Sequence, residues 1–318
     1  MKYIFILLLT TSIADAQQKD NPYFNQPVPL DTAIIFSGGI VSDNYGNRDM
    51  AISPKGDEMF YTFQSGGGVI NAIIYSKKIN GKWSNPEVAI FSGIYSDLEP
   101  AFSPDGSTLY FSSNRPLTGN GKRKDYDIWF VKKEEGKWGE PQNMGSPVNS
   151  DKNEYYASVA KSGNIYFTRE VEKRDEDIMI CRFASNQYQQ AESLPDEVNS
   201  VGDEFNAFVD PAEQFIIFSA YGRDDDLGRG DLYISKKDAE GKWLKANNLG
   251  NKINTASIDY CPYITPDKKY FFFTSSRNSI KVPFEQKQSL QNLLTLLGSA
   301  LNGADNIYWM PAAEIIGK

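Results

Sequence analysis

The sequence predicts an all-β protein: a five-bladed β-propeller of four-stranded antiparallel blades, closed by its N-terminal strand, with one helical insertion in the last blade. Three observations lead there. A phrase built on a Pro-containing turn and an aromatic-rich strand recurs along the chain. It reads MAISPKGDEMFYTF at 50–63, EPAFSPDGSTLYFSSNR at 99–115, NAFVDPAEQFIIFSA at 206–220 and PYITPDKKYFFFTSSR at 262–277. In register, the copies define a unit of about 50 residues, the period of a propeller blade. Aromatic residues make up 13% of the chain, with 18 Tyr and 19 Phe, in short runs that alternate with polar residues as strands do.

The elements follow in order. The first residues, MKYIFILLLTTSIADAQQ, have a positive start at Lys2, an apolar run from Tyr3 to about Ile13, and the small-x-small pattern Ala14-Asp15-Ala16. Residues 1–16 therefore read as a cleaved signal peptide, with an exported, periplasmic or extracellular domain over 17–318. The apolar run is short for a bilayer span, and no cysteine follows the cut to carry a lipid. Blades are expected near 50–95, 99–150, 154–200, 204–255 and 259–315, the last completed by residues 24–42. Inner strands start near Met50, Glu99, Tyr155, Phe205 and Tyr260.

Within the second copy, EPAFSPDG is an inner strand entering a tight turn, with Pro and Asp-Gly supplying the turn geometry. STLYFSSNR is the second strand. YDIWFVKKEEG makes the third, recurring as Asp127-Ile128-Trp129, Asp177-Ile178-Met179, Asp231-Leu232-Tyr233 and Asn306-Ile307-Tyr308, with Ala72-Ile73-Ile74 in the first copy. A Gly-Lys-Trp turn at Trp83, Trp138 and Trp243, with Tyr188 as its counterpart, leads into an irregular fourth strand. That strand closes on Val148-Asn149-Ser150, Val198-Asn199-Ser200 and Ile253-Asn254-Thr255. The last copy stops after its third strand, and Phe24-Asn25-Gln26-Pro27 mimics Trp138-Gly139-Glu140-Pro141. Ile34–Val41 is thus expected to supply the missing outer strand, which hides the sheet edges.

One segment breaks the pattern. Leu290, Leu293, Leu294, Leu297 and Leu301 recur at helical spacing, predicting a helix from about Phe284 to Leu301 with Gly303 as its stop. It either packs on the propeller or serves as a lid or docking helix, with Leu290, Leu293, Leu294 and Leu297 as the partner-binding residues.

Ser103-Pro104-Asp105-Gly106, followed by Leu109-Tyr110-Phe111-Ser112-Ser113 and Arg115, resembles the Pro-Asp variant of the WD40-like repeat found in TolB-like periplasmic propellers. The Asp-Ile-Trp strand, the Gly-x-Trp turn and the Val-Asn-Ser close carry the resemblance over about residues 24–315. It implies a propeller that works through protein contacts at a channel mouth, with no catalytic motif attached to the repeat.

The chemistry is bounded by what is missing. The chain has no histidine, which removes the usual Ser-His-Asp and Cys-His nucleophiles and histidine-based zinc sites. No phosphate-binding loop occurs, and Gly66-Gly67-Gly68 reads as a plain loop. The formal net charge of -8 argues against a nucleic-acid partner. Cys181 and Cys261 fall in non-adjacent repeats and are expected to be free, buried thiols.

What survives is carboxylate chemistry. Asp97, Glu99, Glu154, Glu204 and Asp259 precede or open the inner strands and form the candidate ligand-binding set, with Asp49 and Asp203 nearby. Converging carboxylates suit a glycosidase or Ca²⁺, the one cofactor the composition leaves open; the metal is otherwise unassigned. Their repetition also suits a brace between blades. Asp127, Asp177 and Asp231 suit side-chain bonds that fix the preceding loop, and Arg115, Arg169, Arg223 and Arg277 are placed to pair with those three acids. The non-repeating loops 116–126, basic, and 221–230, acidic and flexible, are the other functional candidates. Asp43–Asp49 loosely resembles a calcium loop without its distal glutamate. The reading is a non-catalytic scaffold in the cell envelope that binds a protein or peptide. The alternative is a propeller that binds or cleaves glycans with channel-mouth carboxylates.

Overall fold

The computed structural model describes residues 22–118, 121–122, 124–172, 175–200 and 202–317. The candidate signal peptide at 1–16 lies outside them. Five antiparallel sheets form a closed five-bladed propeller. The inner strands are Gly46–Ile52, Asp97–Phe102, Glu154–Val159, Asp203–Val209 and Asp259–Ile264, each paired to the strand that follows it in sequence. The fourth strands are only two residues long, as at Gln142–Asn143 and Asn247–Asn248.

The repeated residues each have a mechanical job. In the hairpin turn, the Ser103 hydroxyl donates to Asp105 (2.6 Å) and accepts from the Thr108 amide (3.0 Å). Gly106 takes φ +73°, which glycine adopts without a Cβ clash. Asn149, Asn199 and Asn254 each turn their amide onto one residue of the third strand, accepting its N–H and donating to its C=O at 2.8–3.0 Å. The partners are Ile128, Ile178 and Leu232. The asparagine side chain thus completes a rung of which the backbone after the fourth strand supplies only half, the amide of Met144, Leu194 or Leu249 onto the same C=O. Ser42 takes this place in the fifth blade, bonding both polar groups of Ile307.

The ring closes through Ile34–Ile35, which pairs antiparallel with Tyr308 and Trp309 of the third strand Asn306–Pro311. Behind it, Phe36 is fully buried and meets Phe272 and Trp309 edge-on at 5.0 and 5.4 Å. Trp83 anchors the segment before it, stacking on Tyr23 and Phe24 and donating to the Pro22 carbonyl. Cys181 and Cys261 are free and buried.

The insertion corrects its expectation in two ways. The helix covers only Leu290–Leu297, because the Ser289 hydroxyl caps it by accepting the Asn292 amide. Gly298 ends it, five residues before the expected stop at Gly303. Nor is it buried against the propeller: the helix has no buried residue, Leu296 is half-buried, and Leu290, Leu294 and Leu297 are 72%, 54% and 57% exposed. A second short helix, Ala313–Ile316, follows the last strand and buries Ile315.

Candidate functional site

All five inner strands run in one direction along the channel, and each carries a β-bulge at the same place, between Arg48/Ala51, Leu98/Ala101, Tyr155/Ser158, Phe205/Phe208 and Tyr260/Tyr263. A bulge re-aims side chains. Around it, successive residues fall into successive levels of the channel.

The first level braces the blades. Asp97, Glu154, Glu204 and Asp259 are fully buried, with Asn47 in the matching position of the first blade. Each acid meets an arginine of its own blade, inside the partner strand at Arg169 and just beyond it in the other three: Arg115–Asp97 at 2.7 Å, Arg169–Glu154 at 2.8 Å, Arg223–Glu204 at 2.7 Å and Arg277–Asp259 at 3.4 Å. Ser150, Ser200 and Thr255 of the strand-closing motif donate hydroxyls to the last three acids. These arginines therefore do not pair with Asp127, Asp177 and Asp231, as the spacing suggested. Those acids instead accept from the fourth strand, through Asn143, Ser193 and Asn248, and Asp231 also holds the Leu227 amide of the preceding loop.

The second level faces one mouth of the channel: Arg48, Leu98, Tyr155, Phe205 and Tyr260. The third forms a waist. Asp49, Glu99, Tyr156, Asn206 and Cys261 are all buried and all have positive φ, between 49° and 61°, a region that costs a residue with a Cβ. Hydroxyls of the neighbouring blade hold this backbone: Thr274, Thr62, Ser112 and Thr168 accept the amides of Asp49, Glu99, Tyr156 and Asn206.

Glu99 is the hub of the waist. Its Oε1 accepts from Arg48 Nη2 (2.9 Å) and Asn206 Nδ2 (3.1 Å), and its Oε2 accepts from the Ser112 hydroxyl (2.9 Å) and the Tyr156 amide (2.8 Å). Arg48 also reaches Asp49 at 2.8 Å and lies over the Tyr260 ring at 4.8 Å. One guanidinium thus stands between two carboxylates in a desolvated space. Burial, with the Asp49 charge adding to it, pushes Glu99 up to about 7 against the opposing pull of Arg48. Sequence reasoning grouped Glu99 with Asp97, Glu154, Glu204 and Asp259; the structure places it two residues deeper and separates it from the other four.

Above the waist lies a cavity of about 340 Å³ with Tyr126, Tyr155, Phe205 and Tyr260 on its walls and Arg48, Glu99 and Glu176 among its polar groups. It adjoins a wider groove lined by Glu170, Glu176, Asp203, Tyr221 and Arg229. Glu176 is pushed up to about 7 by burial and then by Glu99, Asp203 and Glu170. The sequence did not single out Glu176, Arg48 or the tyrosines. A signal for the waist was present: once the braced acids are aligned, the column two residues on is the one where the five copies carry unlike residues.

Strand pairing puts the connections between second and third strands at this same mouth, because Asp97 lies opposite Ser113 and Asp259 opposite Ser275. The loops 116–126 and 221–230 and the helical insertion therefore share one face. Within the basic loop, Lys124 is paired with Asp125 and Asp127, while residues 119, 120 and 123 lie outside the described residues. The acidic loop is tied down by its own carboxylates. Asp226 accepts the Gly222 and Arg223 amides, and the Tyr233 hydroxyl donates to Asp225 and Asp226. Asp43 is engaged by the Tyr45 amide and Asn47. Among the described residues no group of three or more His, Cys, Asp or Glu is arranged to hold a metal ion, and no helix is long and apolar enough to cross a membrane.

No protein-family model matches the chain, and no curated protein sequence matches it. Solved structures do. BT0996, in a complex with RGII, is 11% identical with a TM-score of 0.53, covering 88% of this chain and 92% of that one. A TolB candidate from Agrobacterium tumefaciens is 13% identical with a TM-score of 0.47, covering 84% and 90%. TolB from Acinetobacter baumannii is 15% identical with a TM-score of 0.46, covering 84% of this chain and 54% of that one. At these identities the likeness is one of fold.

Proposed function

We propose that this chain is a non-catalytic, exported propeller that binds a protein or peptide at the loop-bearing mouth of its channel. One observation carries the reading. The helical insertion stands on that face with Leu290, Leu294 and Leu297 largely in water, an arrangement that costs solvation free energy and is relieved when a partner covers them. The four braced acids add support, because their arginines and hydroxyls leave them committed to the scaffold. Export, to the periplasm or beyond, rests on the sequence of residues 1–16.

The test is a cross-linked pull-down of the mature protein from its native envelope, read by mass spectrometry. Wild type is compared with a triple variant, Leu290→Ser, Leu294→Ser and Leu297→Ser, and with a deletion of 284–302. A stoichiometric partner should be captured by wild type and lost from the triple variant. That variant's stability should stay within about 0.5 kcal/mol of wild type, as for exposed positions generally. Equal capture by both, or capture no greater than by an unrelated propeller, would remove the proposal.

A second reading is favoured by a different observation. Glu176 stands in an aromatic-walled cavity beside Glu99, and burial pushes it up to about 7, as for the acid of a glycan-cleaving site. Turnover of a polysaccharide panel, abolished by Glu176→Gln with folding intact, would establish this reading over the first.

A further inference from the structure

Below the waist, on the hairpin-turn side, the channel opens into a second cavity of about 270 Å³ with Glu99 and Tyr156 at its inner end. Its walls come from the next levels of the inner strands: Met50, Ile52, Ala101, Val159, Val209 and Ile264. Its ceiling offers little to a polar ligand. The Tyr156 hydroxyl is spent on the Pro262 carbonyl (3.0 Å), and both Glu99 oxygens are taken by the waist. Proline rings at 54, 104, 211 and 266 stiffen the rim.

The charges are at that rim. Lys268 is neutralised by Asp210 at 2.7 Å. Lys161 is exposed and is the one charged residue of the lining without an ion-pair partner among the described residues. The geometry points to a ligand with an apolar body and a single carboxylate: the body enters the chamber, where apolar burial supplies the affinity, and the carboxylate stays at the rim beside Lys161. This site is independent of the loop-bearing mouth and of whatever binds there.

Isothermal titration with 4-phenylbutyrate and its uncharged twin 4-phenylbutan-1-ol tests this directly. Wild type should bind both with one-to-one stoichiometry, the carboxylate more tightly. Lys161→Glu should weaken the carboxylate by roughly threefold or more, the range of an exposed ion pair, and leave the alcohol unchanged. Ala101→Trp, which fills the chamber, should abolish both. Ala212→Trp, at an exposed rim position chosen so that folding is not at issue, should weaken both. The leucine triple variant should bind as wild type does, which keeps this result apart from any at the other mouth. Absence of binding to wild type, equal affinity for the two twins, or undiminished binding in both tryptophan variants would overturn the assignment.

Discussion

At the scale of the residue, the waist is the least ordinary part of the molecule. Glu99 and Glu176 have folded pKa values near 7, above the ordinary carboxylate value of 4.5. Between those two values the folded protein holds protons that the unfolded chain has released, so its stability falls as pH rises through this window. The loss should be on the order of 3 kcal/mol for each carboxyl. Glu99→Gln puts an N–H donor where one of two accepting oxygens stood, facing two donors, so it should start less stable. Its decline between pH 5 and 8 should nonetheless shrink by about half, because only Glu176 then titrates in that range. Melting temperatures of the two proteins across that range check this, and parallel curves would count against the assignment. None of it was legible from Glu99 alone. A bulge that moves a side chain two residues down a channel is a property of strand pairing, and the sequence shows only that the position is acidic.

At the scale of the element, the recurring asparagines were visible as Val-Asn-Ser and Ile-Asn-Thr, but their task was not. Asn199 satisfies both backbone groups of Ile178 from one side chain. Asn199→Ala should leave the buried Ile178 N–H unpaired, while its C=O keeps the Leu194 amide, and cost about 1–3 kcal/mol, measured by denaturant unfolding; a change below about 0.5 kcal/mol would show that the short strand closes without it. The turns and second strands were predicted because their signals are local: proline, glycine and alternating aromatics act within a few residues. The helix was over-extended for the same reason. Leucine spacing continues to Leu301, but Ser289 and Gly298 stop the helix through bonds that periodicity does not register.

At the scale of the whole molecule, five blades and their closure were legible because a repeat with a missing strand at one end and a spare strand at the other has one economical solution. The two channel ends were not, since their cavities exist only when all five inner strands come together. Closure also makes the first strand depend on the last. Phe36→Ala, at the seam, should cost about 3–5 kcal/mol. Because the blades share their neighbours' hydroxyls, the loss should appear as one cooperative transition in calorimetry. A separate early transition confined to the last blade would contradict the shared bracing.

Because the inner strands run the same way and bulge at the same residue, distance along each strand is depth along the axis. Each strand is a ruler with brace, mouth, waist and chamber as its graduations. Exchanging one graduation in all five strands alters the bore at one depth and nowhere else. The waist positions already hold the backbone conformation that glycine prefers. Five glycines there would relax the chain as they removed the septum, and a vessel closed in the middle would become a tube.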